Sequence, residues 1–186
     1  MADTKISDLG TIASTSDGDL MVIVDDPTGT PTTKKVALSS VIGHNRAYGE
    51  IYVTGGASGQ AAAVADTDYK INQFASDGLS SGVTVSASND KITLTNAGIY
   101  WVGLSCSFSG TASKEFLVTV YWNGVAQHIK FRRKLGGGGD FGVAALQGII
   151  NATSAAKDVE VYFRCVGSTA AAFTMSEASL VVFRMA

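Results

Sequence analysis

The sequence predicts an all-β protein: an N-terminal β-hairpin followed by a two-sheet sandwich of the jelly-roll kind. Three observations carry this. From Tyr48 onward apolar residues recur with period two, Gly and Asn turns punctuate the runs at short intervals, and no segment longer than a turn or two keeps apolar residues at helical spacing. Strands that each hide one face must be closed against a second sheet, which is why many short strands imply a sandwich.

In the first 46 residues, Leu20, Val22 and Val24 alternate with Met21 and Ile23 in an apolar run. Pro27-Thr28-Gly29-Thr30-Pro31 supplies turn chemistry, and Thr32 to Leu38 offers the returning strand. Two strands alone are marginal in water, so this hairpin needs a third surface, either the body or another protein. Ser39 is placed to cap one helical turn that Gly43 ends, with His44 to Ala47 as a connector. The expected division is therefore an anchoring segment, 1–46, and a body, 47–186.

The body reads as strands in quick succession. "GEIYVTGG" puts Ile51 and Val53 on one face, and "GVTVSASNDKITLTNAG" turns Val83 and Val85, then Ile92 and Leu94, inward around a Ser-Asn-Asp turn. "GIYWVGLSCSFSG" aligns Tyr100, Val102, Leu104, Cys106 and Phe108, and "KEFLVTVYWNG" aligns Phe116, Val118, Val120 and Trp122. "KDVEVYFRCVG" aligns Val159, Val161, Phe163 and Cys165, leaving Asp158, Glu160, Tyr162 and Arg164 as a wet outer face. "ASLVVFRMA" is the final strand.

A length of 186 residues fits one ordinary domain plus an appendage. Hydrophobic residues make up 46% and charged residues 16%, against about 25% in a typical soluble domain. Such a chain has apolar and small-residue surface to hide, and burying it against identical copies is the simplest solution, so an oligomer is expected. The formal net charge of −2 gives no basic footprint for nucleic acid. Residues 1–46 hold Lys5, Lys34, Lys35 and Arg46 against six Asp, so the whole acidic excess lies there. The start lacks a basic region followed by an apolar one, and no run approaches the ~20 apolar residues of a membrane span. The expectation is a soluble protein made in a cytoplasm, with no membrane insertion.

Enzyme chemistry finds little support. His44 and His128 are the two imidazoles, and His128, following a strand turn, reads as an exposed loop residue. No G-x-S-x-G elbow organises the many Ser and Asp residues, and two Cys and two His without close spacing exclude a zinc motif. "LGGGGDFG" lacks the Lys-Ser/Thr and the helix of a phosphate cradle, so it reads as a loop. Cys106 and Cys165 read as buried free thiols, with a disulfide as the alternative. "NAT" at 151–153 reads as a turn rather than a glycosylation acceptor. No catalytic residue, metal or cofactor is expected. Lys130, Arg132, Arg133 and Lys134, around Phe131, form the basic cluster; it is either a solvated strand end or a contact with an acidic capsid surface or an anionic cell-envelope glycan.

Two resemblances add to this reading. "NAGIYWVGLS", "VTVYWNGV", "KDVEVYF" and a short C-terminal strand with Phe183 occur in an order that resembles the trimeric jelly roll shared by the complement globular head and tumour-necrosis-factor-like proteins. The likeness covers about residues 48 to 186; "AAKDVEV" lacks the Gly-Asp pair frequent in that family. The N-terminal piece, with Ile-Ser-Asp-Leu at 6 to 9, Asp19-Leu20 and "TTKKVALSSVIG", resembles a segment common at the start of short bacteriophage virion proteins.

These resemblances imply a homotrimer in the virion. The first 46 residues would attach it to the major capsid protein or another virion protein through Ile6, Leu9, Leu20, Val22, Val24, Lys34, Lys35, Val36 and Leu38. Trp101 and Phe183, opposite in parity to Tyr100 and Val182, are the candidates for the threefold contact. The implied role is a capsid decoration protein or head fibre assembled in the host cytoplasm. The alternative is a tail-fibre or receptor-binding protein whose distal loops, 109–115, 133–142 and 166–174, engage a host surface glycan. A secreted signalling ligand is a third possibility, disfavoured by the absence of a leader and of a collagen-like stalk.

Overall fold

A computed structural model describes residues 20–25, 32–37, 47–167 and 171–185. The chain separates into two compact units, Met1–Asn45 and Arg46–Ala186. In the first, β1 (Leu20–Asp25) pairs antiparallel with β2 (Thr32–Ala37), in a register that sets Val22 opposite Lys35 and Ile23 opposite Lys34. Leu20, Val22 and Val24 thus fall in β1, and Lys34, Lys35 and Val36 in β2. Ile6, Leu9 and Leu38, and the helical turn expected after Ser39, lie outside the described residues.

The second unit is an all-β sandwich of two antiparallel sheets, of the jelly-roll type. Its strands are β3 (Tyr48–Val53), β4 (Gln60–Ala62), β5 (Tyr69–Lys70), β6 (Ser76–Ser81), β7 (Val83–Ser86), β8 (Lys91–Leu94), β9 (Gly98–Gly110), β10 (Glu115–Trp122), β11 (Val125–Lys134), β12 (Gly142–Ala152), β13 (Lys157–Cys165) and β14 (Ala171–Arg184). One sheet has the order β12-β9-β14-β3-β6, with β4 also pairing β14; the other has the order β11-β10-β13-β8-β7, with β5 also pairing β13.

Period two explains the core. Tyr100, Val102, Leu104, Cys106 and Phe108 from β9 are buried against Phe116, Val118 and Val120 from β10 and Val159, Val161, Phe163 and Cys165 from β13. At its centre Phe173 stacks on Phe163, ring centroids 4.6 Å apart, and on Phe108 at 5.0 Å, while Phe116 lies 5.5 Å away. Both cysteines are free and buried, one in each sheet. Burial pushes the Cys106 thiol up to about 12, which leaves it without thiolate reactivity. Asn123 and Gly124 have φ of 52° and 73° and connect Trp122 to Val125, the mirror-image turn that matches strand twist in a two-residue hairpin.

Several expectations are corrected. Residues 57–81, given no strands above, carry β4, β5 and β6. His128 lies within β11, exposed, rather than in a loop. Asn151 and Ala152 end β12 instead of forming a turn, because Ala152 is buried in the core. The 166–174 loop is shorter than expected, since β14 begins at Ala171 and extends the final strand by several residues. Ala47 is a core residue of the second unit, and its carbonyl accepts the Arg184 N–H at 2.7 Å, so it is no connector.

The β7–β8 connection holds a buried carboxylate. Asp90 adopts φ 51° and accepts the Phe74 N–H at 2.9 Å. Burial pushes its carboxyl up, against the opposing Phe74 hydrogen bond and the Lys70 charge. A raised folded-state value means that the folded state holds its proton more tightly, so this contribution is fully present below the unfolded value near 3.8 and is lost as pH rises through the folded one. Asp90→Asn keeps the acceptor and tolerates positive φ. It is expected to melt at or above the parent temperature at pH 7, with the difference vanishing below about pH 3.9. Asp90→Ala leaves the Phe74 N–H without its acceptor and is expected to cost about 1–3 kcal/mol. Thermal melts at both pH values check this.

Candidate functional site

The outer faces of the two sheets differ in kind. On the β12-β9-β14-β3 face, antiparallel register aligns Ile149 with Trp101, Trp101 with Phe183 and Phe183 with Tyr48. Directly opposed residues share a face, so these four side chains form one row across four strands, about 14 Å long at ~4.8 Å per strand. Ile149 is 51% exposed, Phe183 41% and Tyr48 39%. Trp101 is half-buried, and its indole lies across the sheet over Gly103, where an added Cβ would come within 2.3 Å of the ring. A side chain at 103 would lift the indole, so glycine is what lets Trp101 lie flat.

Successive rows on this face are small or neutral apart from Glu50 and Glu177. Gln147, Gly103 and Val181 lead to Glu50, and Ala145, Ser105 and Ser179 lead to Tyr52. Val143, 74% exposed, stands opposite Ser107. Small residues leave a shallow depression of about 590 Å³ between Tyr52, Ser105 and Val143. The outward positions of β3, β9, β12 and β14 include no Lys or Arg. Their carboxylates are engaged: Glu50 accepts the Ser179 hydroxyl at 2.6 Å and Glu177 accepts the Gly55 N–H at 3.0 Å.

The opposite face is charged and cross-linked. Arg164 grips Asp68 with both arms, Nε to Oδ1 at 2.6 Å and Nη2 to Oδ2 at 2.7 Å. Tyr121 donates its hydroxyl to the same carboxylate. Burial, followed by that hydrogen bond, pushes the Tyr121 hydroxyl up to about 12, and the Asp68 hydrogen bond raises Arg164. Lys70 pairs with Glu160 at 2.5 Å and Lys91 with Asp158 at 2.9 Å. Although burial raises the Asp158 carboxyl, the Thr93 and Lys91 hydrogen bonds outweigh it and hold the group below its ordinary value. The expected wet row of β13 is thus half-buried and tied to residues 68–70 and 91–93 by hydrogen bonds and ion pairs.

Sequence parity identified two members of the apolar row, Trp101 and Phe183, and missed Ile149 and Tyr48. Ile149 belongs to β12, whose two faces are both apolar: Leu146 and Ile150 point in, Val143 and Ile149 out. Without polar contrast, alternation gives no signal. The basic cluster is placed at the end of β11, with Lys130, Arg132 and Lys134 on the charged face and Arg133 on the other parity, all exposed. Phe131 turns inward, its ring centroid 6.0 Å from that of Phe108. Among the described residues no group of three or more His, Cys, Asp or Glu is placed to hold a metal ion, and no helix is long and apolar enough to cross a membrane.

No protein-family model matches the chain, and no curated protein sequence matches it. Solved structures do. The globular domain of zebrafish complement 1qA protein is similar with a TM-score of 0.53 and 9% identity, covering 75% of this chain and 98% of that one. The PRD1 vertex protein P5 is similar with a TM-score of 0.52 and 14% identity, covering 99% of this chain and 91% of that one. The Eiger tumour necrosis factor of S. frugiperda is similar with a TM-score of 0.51 and 7% identity, covering 76% of this chain and 93% of that one. The body therefore has the jelly-roll fold of complement heads and tumour-necrosis-factor domains.

Proposed function

We propose that this chain is a structural component of a phage particle, a decoration protein or head fibre. Its body associates as a homotrimer through the β12-β9-β14-β3 face, and its first 46 residues dock the trimer on the major capsid protein or another virion protein. The observation that carries the reading is the contrast between the two sheet faces. One face bears the Ile149-Trp101-Phe183-Tyr48 row and no basic side chain, and the other is charged. Depletion of charge around aromatic side chains is the composition of a protein–protein contact, and an exposed apolar sheet face in a chain with 16% charged residues calls for cover.

The likeness to a vertex protein that spans 99% of this chain supports the viral setting. Three docking segments on one trimer would multiply weak individual contacts through effective concentration, so a two-stranded unit is enough for attachment. Deletion of residues 1–46 is expected to leave a folded body with the mass of three copies by light scattering that no longer sediments with particles. A single-copy mass for both the full chain and the truncated one would overturn the trimer, and normal incorporation of the truncated chain would overturn the anchor.

A further inference from the structure

The charged sheet face is not neutral along its length. Arg164 on β13, Lys70 on β5 and Lys91 on β8 each meet a carboxylate: Asp68, Glu160 and Asp158 in turn. On the edge strand β11 the balance fails. Lys130, Arg132 and Lys134 share one face at alternate positions, all exposed. Arg132 pairs with Glu115 at 3.2 Å, and Lys130, Arg133 and Lys134 make no ion pair among the described residues. Same-face residues on a strand repeat about every 6.7 Å, so the row from Lys130 to Lys134 runs about 13 Å.

We propose that this row is a binding site for a linear anionic polysaccharide, one bearing carboxylate or sulfate groups, of the kind that coats a cell envelope. An exposed straight row of like charges on an edge strand complements an extended polymer with repeating anions. It is poorly suited to the alternatives. Single-stranded nucleic acid needs aromatic platforms for its bases, whereas Phe131 is turned against Phe108 and Tyr121 and Tyr162 lie against each other at 4.1 Å. A protein partner needs an apolar anchor at the centre of its contact, and none of the exposed large apolar side chains falls between Ala126 and Lys134. Charges on an edge strand also deter strand addition, but that role asks for no single sign. The inference is independent of self-association, because β11 belongs to the other sheet.

The test uses the full chain, heparin as the anionic polysaccharide, and a single-stranded oligonucleotide of matched charge. Heparin is expected to bind at about 50 mM salt, to be released as salt is raised, and to bind more tightly than the oligonucleotide. Lys130→Gln/Arg132→Gln/Lys134→Gln, which keeps the aliphatic stems, is expected to weaken heparin binding by about tenfold or more. Lys157→Gln, on β13, is expected to leave it within about twofold. If the triple variant melts early, Lys130→Gln/Lys134→Gln, which preserves the Arg132–Glu115 pair, carries the same expectation at about fivefold. No binding of heparin, equal binding of the oligonucleotide, or unchanged binding by a folded variant overturns the proposal; the first outcome would leave β11 as a guarded edge.

Discussion

Phe173→Ala is expected to destabilise the body by about 3–5 kcal/mol. Phe173 is fully buried at the meeting point of the two sheets, in ring contact with Phe108, Phe116 and Phe163. Truncation removes its transfer free energy and leaves a cavity that neighbouring rings, held by strands on both sides, cannot collapse to fill. Because a domain is stable by only about 5–15 kcal/mol, a loss of this size lowers the melting temperature by about 10 °C or more. Denaturant titration of parent and variant at equal slope measures it. A loss under about 1 kcal/mol would mean that this aromatic cluster is not the packed centre of the sandwich.

Ile149→Asp/Phe183→Asp is expected to convert the proposed trimer to single chains. Both positions are half-exposed in the isolated body, so two carboxylates there meet water and cost the fold little. In the proposed contact the same carboxylates would be buried without partners, on a face that offers no Lys or Arg. A penalty of about 3–5 kcal/mol corresponds to a dissociation constant raised about a thousandfold. Light scattering at micromolar concentration is expected to report three copies for the parent and one for the variant. Val125→Asp, 60% exposed at the start of β11 in the other sheet, is expected to keep the parent mass. A variant that stays trimeric would place the contact elsewhere.

Reading strands from the sequence succeeded where one face is apolar and the other polar. β9, β10 and β13 carry that contrast, and the residues assigned to their inner faces are buried, except that Trp122, at the end of β10, is only half-buried. It failed for β12, apolar on both sides, and for β4, β5 and β6, which are short and rich in small and polar residues. Those three strands hold their places through partners far along the chain. Gln60 stands opposite Phe173, Lys70 opposite Tyr162 and Ser76 opposite Tyr52. Local pattern carries no information about such partners. The charge network was hidden for the same reason, since Asp68 and Arg164 are separated by 96 positions and meet only when β5 is laid along β13.

What the sequence determined by itself is the facing of side chains along each patterned strand, because period two is a property of the extended backbone and needs no neighbour. It placed Trp101 and Phe183 outward and Tyr100 and Val182 inward before any strand had a partner. Which strands adjoin, and at what register, only the tertiary structure decided. Pairing is set by packing two sheets around one shared core, and it alone brings Ile149, Trp101, Phe183 and Tyr48 into one row while isolating the cations of β11 at an edge.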